Sequence, residues 1–205
     1  MADRERVVAA FDFDGTLTTR DSLVPFLLHH AGASAFALGM ARSADVLLGY
    51  GLRLLPNDVA KERLLARFFG KSQLSELEQS GKRFAETKLP KLLRPDALQR
   101  LQWHQQQGHQ VVVISASLDI YLEPWARATG VEYVLCSSLE RDDSGAVSGR
   151  LAGGNCYGPR KLDRLIDTLG DRSNYILYAY GDSRGDRELL NSADYAFYRT
   201  MPEPE

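Results

Sequence analysis

The 205-residue sequence contains few cysteines, methionines and tryptophans, and its basic residues do not outnumber its acidic ones. The two cysteines, Cys136 and Cys156, have no partner at metal-ligand spacing, which disfavours a disulfide framework and a zinc site. With 25 Lys and Arg against 27 Asp and Glu, the net charge of -2 disfavours nucleic-acid binding. A reduced cytoplasmic protein that does not bind nucleic acid is therefore expected.

Long hydrophobic runs are also missing, although one segment approaches the length of a membrane span. Residues 23–41 form a stretch of 19 residues without Lys, Arg, Asp or Glu, but Pro25 and several His, Gly and Ser residues lower its apolarity. The wider apolar stretch, residues 23–55, is too short for a hairpin of two spans. The N-terminus, MADRERVVAAFDF, has no apolar region typical of a secretory signal. We predict soluble helices and no transmembrane segment, with peripheral membrane contact as the alternative.

Apolar runs alternate with helical patterns along most of the chain. Strands are predicted at residues 7–12, 110–115, 131–136, 175–181 and 195–198, and a hairpin at 139–151 around Asp-Asp-Ser-Gly. Strands separated by helices are typical of a parallel sheet. The sequence therefore predicts an α/β fold with a Rossmann-like core.

The gap between the first two strands is unusually long. A connection between parallel strands needs only one helix, yet nearly a hundred residues separate these two, and they are mostly helical in pattern. A single helix is expected over 33–48, for example, and another over 72–88. We predict an inserted helical cap domain at residues 17–90, and a core formed by residues 1–16 and 91–205.

Polar side chains follow three of the predicted strands. Asp12 and Asp14 end the first, Ser115 and Ser117 the second, and Asp182 a later one. The carboxyl ends of parallel strands meet at one edge of a sheet, where ligands bind. Each group also has a structural alternative: the Asp-x-Asp as a capped turn, and Ser115 as the N-cap of the next helix.

Chemically, this set of residues suits phosphoryl transfer. Carboxylates with open positions form the hard oxygen site that Mg²⁺ prefers. An Asp side chain can act as a covalent nucleophile, and a second Asp can move the proton of the leaving alcohol. Ser115, the backbone N–H groups at the start of its helix and Lys161 would bind the phosphate. As a structural alternative, Lys161 is a solvated surface charge.

The segments DFDGTLT, VISAS, a downstream lysine and GDSRGD resemble the four motifs of the haloacid dehalogenase-like hydrolase superfamily, in the same order. The nearest subgroup carries a helical cap between motifs one and two and includes the phosphoserine phosphatases. The run GNCYG before Lys161 resembles a bacterial branch of that subgroup.

The resemblance implies a role for each matching residue. It implies that Asp12 is the nucleophile and Asp14 the general acid/base, whose backbone carbonyl also contacts Mg²⁺. It further implies phosphate binding by Ser115 with Ala116 and by Lys161, metal binding by Asp12, Asp14 and Asp182, and a supporting role for Asp186. The expected function is Mg²⁺-dependent hydrolysis of a small phosphomonoester through an aspartyl-phosphate.

The sequence departs from the phosphoserine phosphatase pattern where substrate is chosen. Gly15 and Ser115-Ala116-Ser117 replace the usual residues, and Asp21 stands where that subgroup has a glutamate. The cap arginine of the subgroup has Arg53, Arg63 and Arg67 as candidates, and we assign substrate binding to Asp21 and Arg63. Two alternatives remain open: a lipid-phosphate phosphatase of the phosphatidylglycerophosphate type, and a non-catalytic binding protein on the same scaffold. The sequence does not specify the oligomeric state.

Overall fold

A six-stranded sheet forms the centre of the computed structural model, which describes residues 6–203. The predictions for residues 1–5 and for the last two residues of the C-terminal tail lie outside the described residues. The strands are β1 (Val7–Phe11), β2 (Gln110–Leu118), β3 (Tyr133–Arg141), β4 (Val147–Ala152), β5 (Ile176–Gly181) and β6 (Tyr195–Tyr198). Their order is β4-β3-β2-β1-β5-β6, and only β4 is antiparallel to its neighbour. The predicted α/β Rossmann-like fold and the hairpin are confirmed.

Strand β1 lies in the middle of the sheet because its residues are apolar on both faces. Ala9 and Phe11 belong to one hydrophobic cluster, whereas Val8 and Ala10 belong to a second cluster on the opposite face. The strand pairs in parallel with β2 on one side and β5 on the other. Its carboxyl end is therefore fixed from both sides.

Nine α-helices lie within residues 6–203. They are α1 (Leu23–Ala31), α2 (Ala33–Arg42), α3 (Ala44–Gly51), α4 (Asn57–Phe69), α5 (Leu74–Thr87), α6 (Pro95–Gln106), α7 (Asp119–Thr129), α8 (Pro159–Leu169) and α9 (Arg187–Ser192). Helices α1 to α5 all lie between β1 and β2, as the long gap predicts. Their segment, residues 23–87, is called the helical segment below. No helix in residues 6–203 has both the length and the apolarity to cross a membrane.

Several predicted boundaries differ from the structure, and two of the differences change how an element is divided or where it ends. The single helix expected over 33–48 is two helices that meet at Ser43, whose hydroxyl donates to the carbonyl of Gly39 (2.8 Å). Strand β2 continues to Leu118, and the next helix begins at Asp119. Ser115 is therefore not an N-cap, and the backbone N–H groups at the start of α7 do not adjoin it.

Several contacts hold the helical segment against the rest of the chain. The connecting chains pair with each other through a bridge between Thr18 and Leu93. Helix α4 packs on β4, where a Cβ at Gly149 would collide with the backbone of Ala66. These contacts place α1, α3 and α4 above the carboxyl end of β1. The domain limits at residues 16/17 and 90/91 stay a prediction.

Candidate active site

Asp12 directly follows β1 and is buried. Its backbone N–H donates to the carbonyl of Tyr180 (2.9 Å), which continues the pairing with β5. One carboxylate oxygen accepts a hydrogen bond from the Lys161 ammonium (2.5 Å), and the other accepts from the Thr16 hydroxyl (3.3 Å). Burial raises the pKa of the Asp12 carboxyl to about 7, although the Lys161 charge lowers it. The ion pair therefore offsets only part of the desolvation cost.

Lys161 lies in the first turn of α8 and bridges two carboxylates. Its ammonium donates to Asp12 and to Asp186, each at 2.5 Å, and all three side chains are buried. Burial alone would lower the pKa of Lys161, but the two carboxylates raise it above its usual value. The alternative of a solvated surface lysine is therefore wrong.

Asp186 and Asp182 follow β5 and differ in how their oxygens are used. Asp186 accepts from Lys161 with one oxygen, and from the N–H (2.9 Å) and hydroxyl (2.8 Å) of Ser183 with the other. By contrast, Oδ1 of Asp182 is buried and has no hydrogen-bond partner. Oxygens of Asp12, Asp182 and Asp186 lie within 4.8 Å of one another. Because Asp186 is already saturated, Asp182 and Asp12 are the groups with capacity for a cation.

The turn Phe13–Leu17 brings Asp182 close to the chain after Asp12. Gly15 has a φ of 84°, a left-handed conformation that favours glycine. A Cβ at this position would lie 2.7 Å from the carboxylate carbon of Asp182. The backbone conformation and the close approach of Asp182 thus both favour glycine at position 15 of this chain.

Asp14 points away from the acidic group and towards the base of α1. Its carboxylate accepts from the N–H of Ser22 (2.9 Å) and from the hydroxyl of Ser117. The Ser22 hydroxyl in turn contacts that of Ser117 and donates to that of Tyr121, both at 3.1 Å. Burial, with Asp21 adding to the effect, raises the pKa of Asp14 to about 6. The contact of its carbonyl with a metal stays a prediction.

Ser115 is fully buried beside Asp12, at the point where β2 becomes irregular. Its hydroxyl oxygen accepts from the backbone N–H of Ser117 (3.0 Å). Ser115, Ala116 and Ser117 all line the same pocket as Asp12, Asp14 and Lys161. The predicted strand-end residues thus converge, apart from Asp182 and Asp186, which lie beside the pocket.

The pocket above Asp12 has a volume of about 330 Å³. Its floor is polar and comes from the sheet edge, whereas its upper wall is mostly apolar and comes from the helical segment. That wall is formed by Leu23, Val46, Leu47, Tyr50, Ala60 and Leu64. The volume is at the small end of the range for ligand sites.

One lysine of the helical segment reaches this pocket. The Lys61 ammonium, on α4, donates to the carbonyl of Ala116 and to Oδ1 of Asn155 (3.0 Å). Asn155 is itself fixed, since it accepts from Ser137 (3.0 Å) and donates to Asn57 (2.8 Å). Burial lowers the pKa of Lys61 to about 8.

The predicted substrate residues of the cap divide into two groups. Asp21 lines the pocket, and its carboxylate accepts from the N–H groups of Leu23 (2.9 Å) and Val24 (3.2 Å). Arg63 is exposed and does not line the pocket, because the face of α4 that turns inwards carries Lys61. Arg53 does not line it either, and Arg67 pairs with Asp45 at the surface (2.5 Å).

Sequence reasoning missed Lys61, Asn155, Ser22 and Tyr121. Helical spacing places Lys61 on the same face as Leu64, which is a weak signal that it turns inwards. Asn155 belongs to the run GNCYG, whose resemblance to the family does not indicate the contacts of this residue. Nothing in the sequence indicates that Ser22 and Tyr121 meet beside Asp14.

Residues 9–191 match the family of haloacid dehalogenase-like hydrolases. The chain is 34% identical to Protein CicA of Caulobacter vibrioides over 195 residues, which cover 95% of this chain and 86% of CicA. It is 27% identical to a histidinol-phosphatase of Neisseria meningitidis serogroup C, over 89% of this chain and 85% of that protein.

Solved structures share the fold. A protein of unknown function from Bordetella pertussis Tohama I superposes with a TM-score of 0.80 at 26% identity, covering 91% of this chain and 86% of that one. A phosphoserine phosphohydrolase-like protein from Francisella tularensis has a TM-score of 0.66 at 18% identity, covering 93% and 84%. The family match, which spans most of the chain, confirms the resemblance inferred from the four motifs. The chain therefore belongs to the haloacid dehalogenase-like hydrolases, and its fold is that of the phosphoserine-phosphatase-like members.

Proposed function

We propose that the protein is a Mg²⁺-dependent phosphomonoester hydrolase that acts on a small phosphorylated metabolite through an aspartyl-phosphate. The observation that carries this proposal is the arrangement around Asp12. Its carboxylate lies at the floor of a pocket, is ion-paired with Lys161, and adjoins the unpartnered oxygen of Asp182.

The residues present fit a magnesium ion. Asp12 and Asp182 offer carboxylate oxygens, and the buried Oδ1 of Asp182 lacks any other partner. The resemblance adds the backbone carbonyl of Asp14 to this set. When bound, Mg²⁺ neutralises phosphate charge, so that an anionic nucleophile can approach an anionic ester.

Asp12 acts as the nucleophile in this proposal. Lys161 holds one of its carboxylate oxygens and favours the ionised form that attacks phosphorus. The other oxygen accepts the weak hydrogen bond of Thr16. Attack forms the bond between Asp12 and phosphorus and breaks the bond to the alcohol oxygen. Water then attacks the phosphorus and releases Asp12 and inorganic phosphate.

Asp14 moves the proton in both steps. A carboxyl group with a pKa of about 6 is partly protonated near neutral pH and can donate to the leaving alcohol. The resulting carboxylate, stabilised by Ser22 and Ser117, then accepts a proton from the attacking water. This position outside the acidic group suits a residue that meets the alcohol rather than the metal.

Ser115, Ala116 and Lys161 bind the phosphate in the proposal, and the alcohol part lies against the helical segment. The pocket volume of about 330 Å³ fits a small metabolite. Lys61 and Asp21 are the charged residues of the helical wall, so we assign contacts with the alcohol part to them. We also propose a cytoplasmic location, and a cap domain at residues 17–90 on a core of residues 1–16 and 91–205.

A lipid phosphate is the second candidate substrate, and one observation favours it. The apolar pocket wall continues onto the surface of residues 47–54, where Leu52 is 68% and Leu54 is 74% exposed. Co-sedimentation with anionic liposomes tests this candidate, since a protein that stays wholly in the supernatant contradicts it. A buried apolar wall needs no lipid, however, so the metabolite remains the primary proposal.

Hydrolysis of p-nitrophenyl phosphate tests the proposal against a non-catalytic binding protein. We expect metal-dependent turnover that EDTA stops and added Mg²⁺ restores. Asp12→Asn should abolish turnover, whereas Asp163→Asn, a matched change on an exposed position of α8, should leave it unchanged. Full activity of Asp12→Asn, or no turnover by the parent protein with Mg²⁺, would contradict the proposal.

A further inference from the structure

A second cavity lies on the other side of α1 from the candidate active site. It has a volume of about 730 Å³, within the range of small-molecule sites and larger than the active-site pocket. We call it the α1–α5 groove, because α1, the end of α5 and the start of α2 enclose it. Its apolar surface comes from Val24, Pro25, Leu28, Phe36, Phe84 and Leu92.

Three cations line this groove. Arg20, Lys88 and Lys91 line it, and within residues 6–203 none of them forms an ion pair. The one lining carboxylate, Asp21, accepts hydrogen bonds from the first turn of α1. The protein as a whole carries a net charge of -2, so this concentration of unpaired cations is local.

The pKa of His29 reflects the same excess of positive charge inside the groove. Its ring packs against Phe84, with 5.6 Å between centroids, and it lines the cavity. Burial lowers the pKa of His29, and the charges of Lys88 and Arg83 lower it further. A neutral imidazole adds no charge to the groove, so its positive charge comes from the three lining cations.

We propose that the α1–α5 groove binds a single-chain amphipathic anion, with its apolar chain against Val24 and Leu28 and its anionic head at Lys88 and Lys91. The concave shape favours one dissolved molecule over the flat surface of a bilayer, because a bilayer would leave the apolar cavity below the surface unfilled. Unpaired cations beside an apolar cavity match the two ends of such a molecule.

The groove adjoins both the active site and the chain connections. Asp21 lines both cavities, and the next residues of α1 alternate, with Leu23 facing the active-site pocket and Val24 the groove. Leu92, at the groove, accepts from the N–H of Thr19 (2.7 Å) where the two connecting chains pair. A ligand in the groove therefore contacts the elements that hold α1 over Asp14.

Decanoate, below its micelle concentration, is a direct probe for isothermal titration calorimetry without substrate. We expect one site with a Kd below about 1 mM, and at least about tenfold weaker binding to Lys88→Glu/Lys91→Glu. Lys71→Glu/Lys82→Glu makes the same charge change at exposed positions outside the groove and should bind as the parent protein does. Leu28→Asp should also weaken binding, because it places a charge on the apolar floor.

Other results would overturn the proposal. If the two double variants bound decanoate with equal affinity, the groove cations would have no role in binding. Loss of binding in Lys61→Gln, with no loss in Lys88→Glu/Lys91→Glu, would place decanoate in the active-site pocket. Binding to anionic vesicles without binding of monomeric decanoate would identify a membrane surface instead. Since none of these measurements uses turnover, they stand or fall separately from the proposed phosphatase activity.

Discussion

The floor and the upper wall of the active-site pocket are built in different ways. At the floor, Asp12, Lys161 and Asp186 are buried, and Lys161 forms an ion pair with each of the two carboxylates. In the wall, α3 has only one buried residue, Val46, and its Leu47 and Tyr50 are exposed. A saturated polar floor holds reacting groups in fixed positions, whereas a sparsely packed wall tolerates changes of shape and sequence. We infer that the floor carries the chemistry and the wall carries the choice of substrate.

Replacing Lys161, the cation of the pocket floor, should have the largest effect on stability and activity. Lys161→Met leaves Asp12 and Asp186 buried without their charge partner, which costs about 3–5 kcal/mol of unfolding free energy. Activity should fall by at least about 10³-fold, because the nucleophile and the phosphate both lose this contact. Urea unfolding in EDTA and p-nitrophenyl phosphate turnover measure the two effects.

The stability loss in Lys161→Met should depend on pH with a defined sign. The pKa of Asp12 is about 7 with the lysine present, and removing the lysine removes a cause that lowers it. The folded state then holds the Asp12 proton more tightly than the unfolded state, so stability falls as pH rises towards and through the folded pKa. The deficit against the parent protein should therefore be larger at pH 8 than at pH 5. A deficit that is larger at pH 5 would contradict the buried ion pair.

Asp14→Asn should distinguish proton transfer from attack on phosphorus. An alkyl phosphate needs a proton on its leaving oxygen, and losing the donor should cost about 10²-fold. p-Nitrophenol leaves readily as an anion, so formation of the intermediate from its ester should be much less affected. In the parent protein, kcat/KM for the alkyl ester should decline above about pH 6 as Asp14 loses its proton. Equal losses with both esters in single-turnover experiments would contradict the role of Asp14.

Much of the floor could be predicted from sequence, because a buried parallel strand that ends in a polar residue has few other interpretations. That rule alone predicts that Asp12, Ser115 and Asp182 lie at the same edge of the sheet. Their partners were harder to predict: Asp14 turns towards Ser22 because of the turn that Gly15 allows, and periodicity does not encode that turn. Strand β2 also runs past Ser115, so the expected helix N-terminus is displaced to Asp119.

The wall could be predicted only in outline. Helical spacing identified the helices, but it does not say which face of a helix is turned to the pocket. Arg63 and Lys61 are close in sequence on α4, and the packing of Ala66 against Gly149 decides that Lys61 enters. That contact joins α4 to a strand far along the chain, so local sequence cannot report it.

Gly15→Ala tests whether Gly15 allows Asp182 to take its position beside Asp12. The φ of 84° disfavours alanine, and the new Cβ would displace the carboxylate of Asp182. We expect about a tenfold increase in the Mg²⁺ concentration needed for half-maximal activity. Gly130→Ala has a similar backbone strain, with φ of 71°, but its nearest neighbour is Gln105, so it is the matched control. Equal Mg²⁺ requirements in both variants would show that Gly15 does not position Asp182.

The smallest effect is expected in the wall. Lys61→Gln should raise KM for a small phosphorylated substrate by about tenfold, with little change in kcat, since it removes a charged contact with the alcohol part. Arg63→Gln, two residues along α4 and exposed, should change neither value. A loss in kcat alone would show that Lys61 takes part in the chemical steps and does not act by binding the alcohol part of the substrate.

The central claim is that Asp12 carries the phosphoryl group. Rapid acid quench during turnover of p-nitrophenyl phosphate, followed by peptide mass spectrometry, locates any covalent adduct. Asp14→Asn is the preferred protein, because slower hydrolysis lets the intermediate accumulate. The account predicts one phosphoryl group on the peptide that contains Asp12, absent from the Asp12→Asn/Asp14→Asn protein. A phosphoryl group on another residue, or turnover in which no adduct forms at any quench time, would contradict it.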